Sequence, residues 1–378
     1  MAKLQISRFI VVLTVLLAGA YYARAKIESR MVEFRLYADK TQRISAGRPA
    51  DILIFGESRS VGITGDPKQA REHGIYNLSM PAIQGIYASK YLLERYLEHN
   101  PPPKTILLSF DPLTYSGWRC LFAGGTHGAE PALNYHIHGA SRVYSLLDLV
   151  ADPLARRHPQ AIWRVLKAKL SLNLLYHPLL NKVRDDMYDA ETGTALFKKD
   201  RDWGWSPARD RKSEREFRVH PEARQHLMGI LALARQHGFR VVAYAPPIYD
   251  RMYQARQRRG FYDDYLAFIT QMQTSYPDVF VAWKRVEVLG KASFVDGKHY
   301  SAHGSQLVAE RSLGPLLDWL DAPDLGARSA AHSPAPTSGQ WFGLGAPAPA
   351  LVRPLRLDCD TRRQPTSTST QDLTCPAS

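Results

Sequence analysis

Apolar residues in this chain fall into two alternating rhythms. Short, nearly unbroken runs occupy residues 51–56 (DILIFG), 75–79, 105–111 (TILLSFD), 240–246 and 279–282, the first four closed by glycine, proline or polar residues. Runs of that length suit strands buried on both faces of a parallel sheet. Between them, residues 84–99, 221–237, 261–276 and 301–320 place apolar side chains at helical spacing. The first of these helices must end before Pro101, Pro102 and Pro103, and the second ends at Gly238, a favoured cap. This alternation predicts an α/β domain with a flavodoxin-like parallel sheet of about five strands and helices on both faces. Right-handed crossovers then gather the loops after the strands along one edge.

The rhythm fails in three places. Residues 112–220 are rich in His, Trp, Tyr and Arg, with a helical patch at 160–175, and read as an insertion over the strand ends: a lid or a partner surface. From residue 321 the composition turns to Pro, Ser, Thr, Ala and Gly (SPAPTSGQ, GAPAPA, TSTST). Such a tail buries too little apolar surface to order itself. At the other end, Lys3 and Arg8 precede the apolar run FIVVLTVLLAGA, followed by Ala23, Arg24 and Ala25 in the small-x-small form of a cleavage site.

Residues 1–25 are thus expected to be a signal peptide cut after Ala25, or a retained membrane anchor. The run before Ala23 is roughly 15 residues, short of the ~20 that span a bilayer comfortably. In both cases the positive flank stays inside and the remainder is exported. Residues 26–50, charged with scattered apolar positions, read as a helical stalk leading to a domain at 51–320. The expected location is the cell membrane, with the domain in the periplasm or another extracytoplasmic space, or secretion after cleavage.

Forty-nine Lys and Arg against 36 Asp and Glu give a net charge of +13. The tail from Asp321 carries five arginines and five aspartates, so the excess lies in the body. A basic exported surface suits anionic lipid headgroups or an acidic glycan or envelope polymer, and a solvated surface with no partner is equally open. Export argues against nucleic acid. Three cysteines (Cys120, Cys359, Cys375) are too few for a disulfide scaffold, although Cys359 and Cys375 are the nearer couple.

Two segments carry candidate chemistry. Gly56-Glu57-Ser58 follows the first strand directly, placing Ser58 at a strand-to-helix turn. There the hydroxyl meets the open sheet edge, and helix N-terminal N–H groups favour an alkoxide and an oxyanion. Some 240 residues on, Asp296 and His299 stand three apart before the last helix. That spacing lets the carboxylate orient the imidazole as a general base. Separately, each motif is common, as an N-cap or a structural pair. Together, at strand exits of one sheet, they are a much stronger signal than either alone.

The order strand-Gly-x-Ser near the start and Asp-x-x-His before the final helix resembles the SGNH (GDSL-like) hydrolase superfamily over about residues 51–320. The resemblance implies Ser58 as nucleophile, His299 as base and Asp296 as its orienting partner. In the second family block it points to Ser79 as an oxyanion donor alongside the N–H of Ser58. The sequence departs from the family in three positions, the first being Ser79 itself, where the family offers the N–H of a Gly. Glu57 stands where Asp is usual, and the third strand runs into Asp111-Pro112, without the donor Asn. An ionised Asp111 cannot donate to an oxyanion. The anchored architecture is most similar to the branch that handles acyl groups on envelope polymers, beside a membrane-bound acyltransferase.

The implied function is an exported serine esterase or O-acyltransferase needing no metal or cofactor. Two other readings stay open: a silent scaffold that binds a membrane acyltransferase or glycan, and a metal hydrolase using Asp296, His299 and His303. His127, His136, His138, Trp203 and Trp205 in the insertion are further candidates for ligand or sugar contact, or for ordinary lid packing.

Overall fold

The computed structural model describes residues 8–16, 18–19, 22, 32–80, 85–115, 146–151, 156, 159, 162–163, 183–197 and 216–321. Its strands are β1 (Ile52–Gly56), β2 (Ile75–Asn77), β3 (Thr105–Ser109), β4 (Val183–Asp189), β5 (Thr194–Phe197), β6 (Arg240–Tyr244), β7 (Ile248–Tyr249), β8 (Phe280–Ala282) and β9 (Val288–Leu289). The expected apolar runs pair as one five-stranded parallel sheet in the order β2-β1-β3-β6-β8. Counted along the sheet this is the 2-1-3-4-5 order of flavodoxin-like folds. The protein is therefore α/β, with helices flanking a central parallel sheet.

Burial explains why the runs are unbroken. Leu53, Ile54, Ile106, Leu108, Val241 and Val242 are all fully buried. Each contributes roughly 1.5–3 kcal/mol on leaving water, which drives the sheet inward. The Pro221–His237 helix starts with Pro221 at its first turn and stops at Gly238, whose φ of 76° supplies the left-handed cap. β1 lies between β2 and β3, so the crossovers on its two sides diverge. That switch point, outside the strand ends, is where open α/β sheets hold ligands.

Three expectations are corrected. Of the expected helical stalk, residues 26–31 lie outside the described residues, and the described part is helical but packed: the helix Val32–Ser45 buries Leu36, Tyr37 and Ile44 in the common core and lies on the Ile86–His99 helix. Asn100 fastens its end by donating Nδ2–H to the Ile44 carbonyl at 2.7 Å. Second, residues 301–320 are not one regular helix. Ala302–Val308 and Gly314–Asp321 are α-helical, with a π turn at Ala309–Leu313 between them. Pro315 has no N–H for the carbonyl four residues back, which loosens the ladder there. Third, part of the 112–220 insertion is built into the fold: β4 and β5 form an antiparallel hairpin, and β5 packs on residues 58–62.

Near the N-terminus, residues 8–16 are helical with Phe9, Ile10, Val11 and Leu16 exposed. Among the described residues no helix is long and apolar enough to cross a membrane. The tail, the cysteines, His127, His136, His138, Trp203 and Trp205 lie outside the described residues.

Candidate active site

Gly56 ends β1, Glu57 is extended, and Ser58 opens the 3-10 turn Ser58–Gly62. Glycine is required at 56 by space, not by an unusual φ. A Cβ there would lie 2.3 Å from the Ser109 carbonyl oxygen and 2.5 Å from the Ser60 side chain. The turn is therefore seated directly on β3. Ser60 Oγ reaches the Ser109 carbonyl at 2.5 Å and the Ser109 hydroxyl at 2.8 Å. Asn77 Nδ2, at the end of β2, donates to the Ser60 carbonyl at 2.8 Å.

The second segment is delivered by a separate two-stranded sheet. β7 and β9 pair in parallel, and the Lys291–Ser293 turn follows. The loop is then closed by the Phe294–Tyr300 bridge and by Val295 N–H donating to the His299 carbonyl at 2.8 Å. Phe294, Val295 and Tyr300 are buried anchors, and Tyr300 donates its hydroxyl to the Pro247 carbonyl at 2.7 Å. Ser301 caps the next helix by accepting from Gly304 N–H at 3.0 Å. Gly304 permits that helix to press on the loop, since a Cβ would collide with the Ser293 carbonyl.

These two constructions bring Ser58, His299 and Asp296 into one hydrogen-bonded chain. His299 Nε2 lies 2.9 Å from Ser58 Oγ, and His299 Nδ1 lies 2.7 Å from Asp296 Oδ2. Asp296 Oδ1 also accepts from the backbone N–H groups of His299 (2.8 Å) and Lys298 (3.0 Å). Burial alone pushes the Asp296 carboxyl upward. The charge and hydrogen bond of His299 and those two N–H groups outweigh it and hold the carboxyl well below the usual range. An ionised carboxylate only accepts, so Nδ1 carries the imidazole proton and Nε2 accepts from the Ser58 hydroxyl. This is the arrangement in which a serine oxygen can be deprotonated as it attacks.

Ser79 is placed differently from the expectation in one respect. It is fully buried beyond the end of β2, and its N–H already donates to Asn77 Oδ1 at 2.9 Å. Its hydroxyl has no partner among the described residues. Any donor that Ser79 supplies is thus its side chain, not its amide. Asp111 is wholly committed to structure. It accepts from Arg256 Nη1 at 2.9 and 3.0 Å, from Arg59 Nη2 at 3.1 Å and from Leu113 N–H at 3.0 Å. Against its burial, those cations lower the carboxyl to about 2.

Several contributors escaped the sequence reading. Phe197, at the end of β5, stacks on His299 with centroids 4.0 Å apart and an interplanar angle of 28°. Asn77 joins the Ser58–Gly62 turn to the segment after β2, and Arg59 and Arg256 pin Asp111. Only the Thr192-Gly193 turn signal hinted at the hairpin that carries Phe197. The metal reading conflicts with the geometry, because both ring nitrogens of His299 are occupied and His303 is exposed. Among the described residues no group of three or more His, Cys, Asp or Glu is arranged to hold a metal ion.

No protein-family model matches the chain, and no curated protein does. One solved structure, described as "a putative platelet activating factor from Streptococcus pneumonia", is similar over 79% of this chain and 99% of its own, at 12% identity and a TM-score of 0.34. At that level of likeness nothing about activity passes between the two chains.

Proposed function

We propose that this protein is a serine esterase or O-acyltransferase of the SGNH type. The observation that carries the reading is the bonded chain from Ser58 through His299 to Asp296, at the switch point of a flavodoxin-like sheet. In the reaction, Ser58 Oγ attacks the ester carbonyl carbon while its proton passes to His299 Nε2. The resulting oxyanion is met by the N–H of Ser58 and the hydroxyl of Ser79. Collapse breaks the bond to the leaving oxygen, which takes the proton from His299, and an acyl-Ser58 ester is left. Water or a sugar hydroxyl then attacks that ester and gives its proton to His299 Nε2; collapse breaks the bond between the acyl carbon and Ser58 Oγ, and the proton returns from His299 to Oγ, restoring Ser58.

The apolar N-terminal segment and the net charge of +13 support an exported, membrane-associated enzyme acting on an anionic envelope glycan or polymer. A membrane-bound acyltransferase would fit as acyl donor. Labelling with a fluorophosphonate probe tests the reading. Wild type should label and Ser58→Ala should not; equal labelling of both refutes it.

One observation favours a second reading. The strand position where the family offers a donor holds Asp111, fully locked by two arginines. An oxyanion hole thinned in this way suits a scaffold that binds an acyltransferase or glycan without turnover. An unlabelled wild type that still captures its partner supports it.

A further inference from the structure

Lys40 is among the largest fully buried side chains of the protein, and it lies on the Val32–Ser45 helix. An ammonium taken out of water costs several kcal/mol unless something compensates it. Burial accordingly holds the Lys40 amine well below its ordinary pKa. Among the described residues no carboxylate pairs with it. Its contact is instead the Ser79 carbonyl, which accepts from Lys40 Nζ at 2.5 Å. A methionine at this position would continue the buried stripe from Leu36 to Ile44 without that cost. A lysine at this buried position points instead to a task at its tip.

The tip touches the segment beyond β2 that Asn77 ties to the Ser58–Gly62 turn. Ser79 N–H is held by Asn77 Oδ1, and Ser79 C=O is held by Lys40. With both backbone groups fixed from separate elements, the hydroxyl is the group of Ser79 without a partner among the described residues. Met80 N–H donates to the Gly56 carbonyl at 3.4 Å, which keeps this segment against the end of β1. Asn77 Nδ2 reaches the carbonyls of Ser60 and Val61 at 2.8 and 3.2 Å, tying the same segment to the nucleophile turn. The hairpin closes over both: a Cβ on Gly193 would sit 2.3 Å from the Asn77 carbonyl oxygen and 3.2 Å from Lys40 Cε.

We propose that Lys40 is a positioning residue that fixes the Ser79 backbone so that the Ser79 hydroxyl serves as an oxyanion donor. This rests on the reading of Ser58 as nucleophile. It makes the helix that follows the N-terminal apolar segment a working part of the site.

The test is a mutant cycle on the full chain with p-nitrophenyl acetate: Lys40→Met, Ser79→Ala, the double variant and Ser58→Ala, each checked for folding by circular dichroism. Ser79→Ala should lower kcat on the order of 10²-fold, the loss typical of one oxyanion donor. Lys40→Met should lower kcat by about tenfold or more with KM within about twofold, and the double variant should be no slower than Ser79→Ala, because one residue acts through the other. A merely structural lysine would instead multiply the two losses. Multiplied losses, or wild-type rates in either single variant, overturn the proposal. If Lys40→Met does not fold, Lys40→Leu, which likewise removes the donor to the Ser79 carbonyl, takes its place with the same outcomes. Wild-type turnover by Ser58→Ala would overturn the nucleophile reading itself, whatever Lys40 does.

Discussion

Phe197 lies nearly flat on His299, the ring centroids 4.0 Å apart. The phenylalanine comes from β5, inside the segment that the sequence marks only as an insertion, and it is buried. It covers one face of the imidazole, which leaves the ring edge to Asp296 on one side and Ser58 on the other. The stack therefore selects the rotamer in which both hydrogen bonds form. Aromatic pairs contribute about 0.5–1.5 kcal/mol beyond their buried area. Phe197→Leu, which preserves most of the volume, should lower kcat about two- to tenfold with little change in KM. Steady-state kinetics on an activated ester check this, and Phe197→Tyr should restore most of the rate.

Asp111 governs stability rather than chemistry. Its removal leaves Arg59 and Arg256 buried without their shared carboxylate. Asp111→Asn should destabilise the fold by about 3–5 kcal/mol, the cost of breaking a buried ion pair from one side. Urea unfolding measures it.

The same carboxyl sets an acid limit. Its folded pKa is about 2, below the unfolded value of roughly 3.9. A depressed carboxyl contributes stability above its unfolded pKa and loses it as pH falls toward the folded one. Asp296 is shifted in the same direction. Unfolding free energy should hold steady from neutral pH to about 5 and fall between about pH 4 and 2, with a smaller fall in Asp111→Asn.

Asn77 should be intolerant of substitution despite lying outside the triad. Its side chain serves the Ser60 and Val61 carbonyls and the Ser79 N–H, all at a fully buried position. Asn77→Leu leaves these groups unpaired, at about 1–3 kcal/mol each. Thermal unfolding should show a large loss, and any folded fraction should turn over slowly, because the nucleophile turn has lost its tie.

The sheet was legible because parallel strands buried on both faces leave unbroken apolar runs, and 52–56, 105–109 and 240–244 are such runs. The helix with Gly238 at its end was legible because its cap is chemical. Ser58 and His299 were singled out through local motifs, whose meeting across 241 positions no local pattern states. The Val32–Ser45 helix was misread because Lys40 interrupts the apolar stripe of Leu36 and Ile44, making a packed helix look solvated. Asp111 gave no sign of its partner, since Arg256 lies 145 positions away and their pairing is purely tertiary. The hairpin was obscured by Arg184, Asp185, Asp186 and Asp189, which break the alternation expected of strands.

The most direct test of the central claim is turnover of p-nitrophenyl acetate by wild type, Ser58→Ala and His299→Ala, beginning the chain at Lys26. Wild type should hydrolyse the ester. The two variants should fall by about 10³-fold or more, and by similar factors because the pair acts as one unit. Equal turnover by all three proteins would contradict the account.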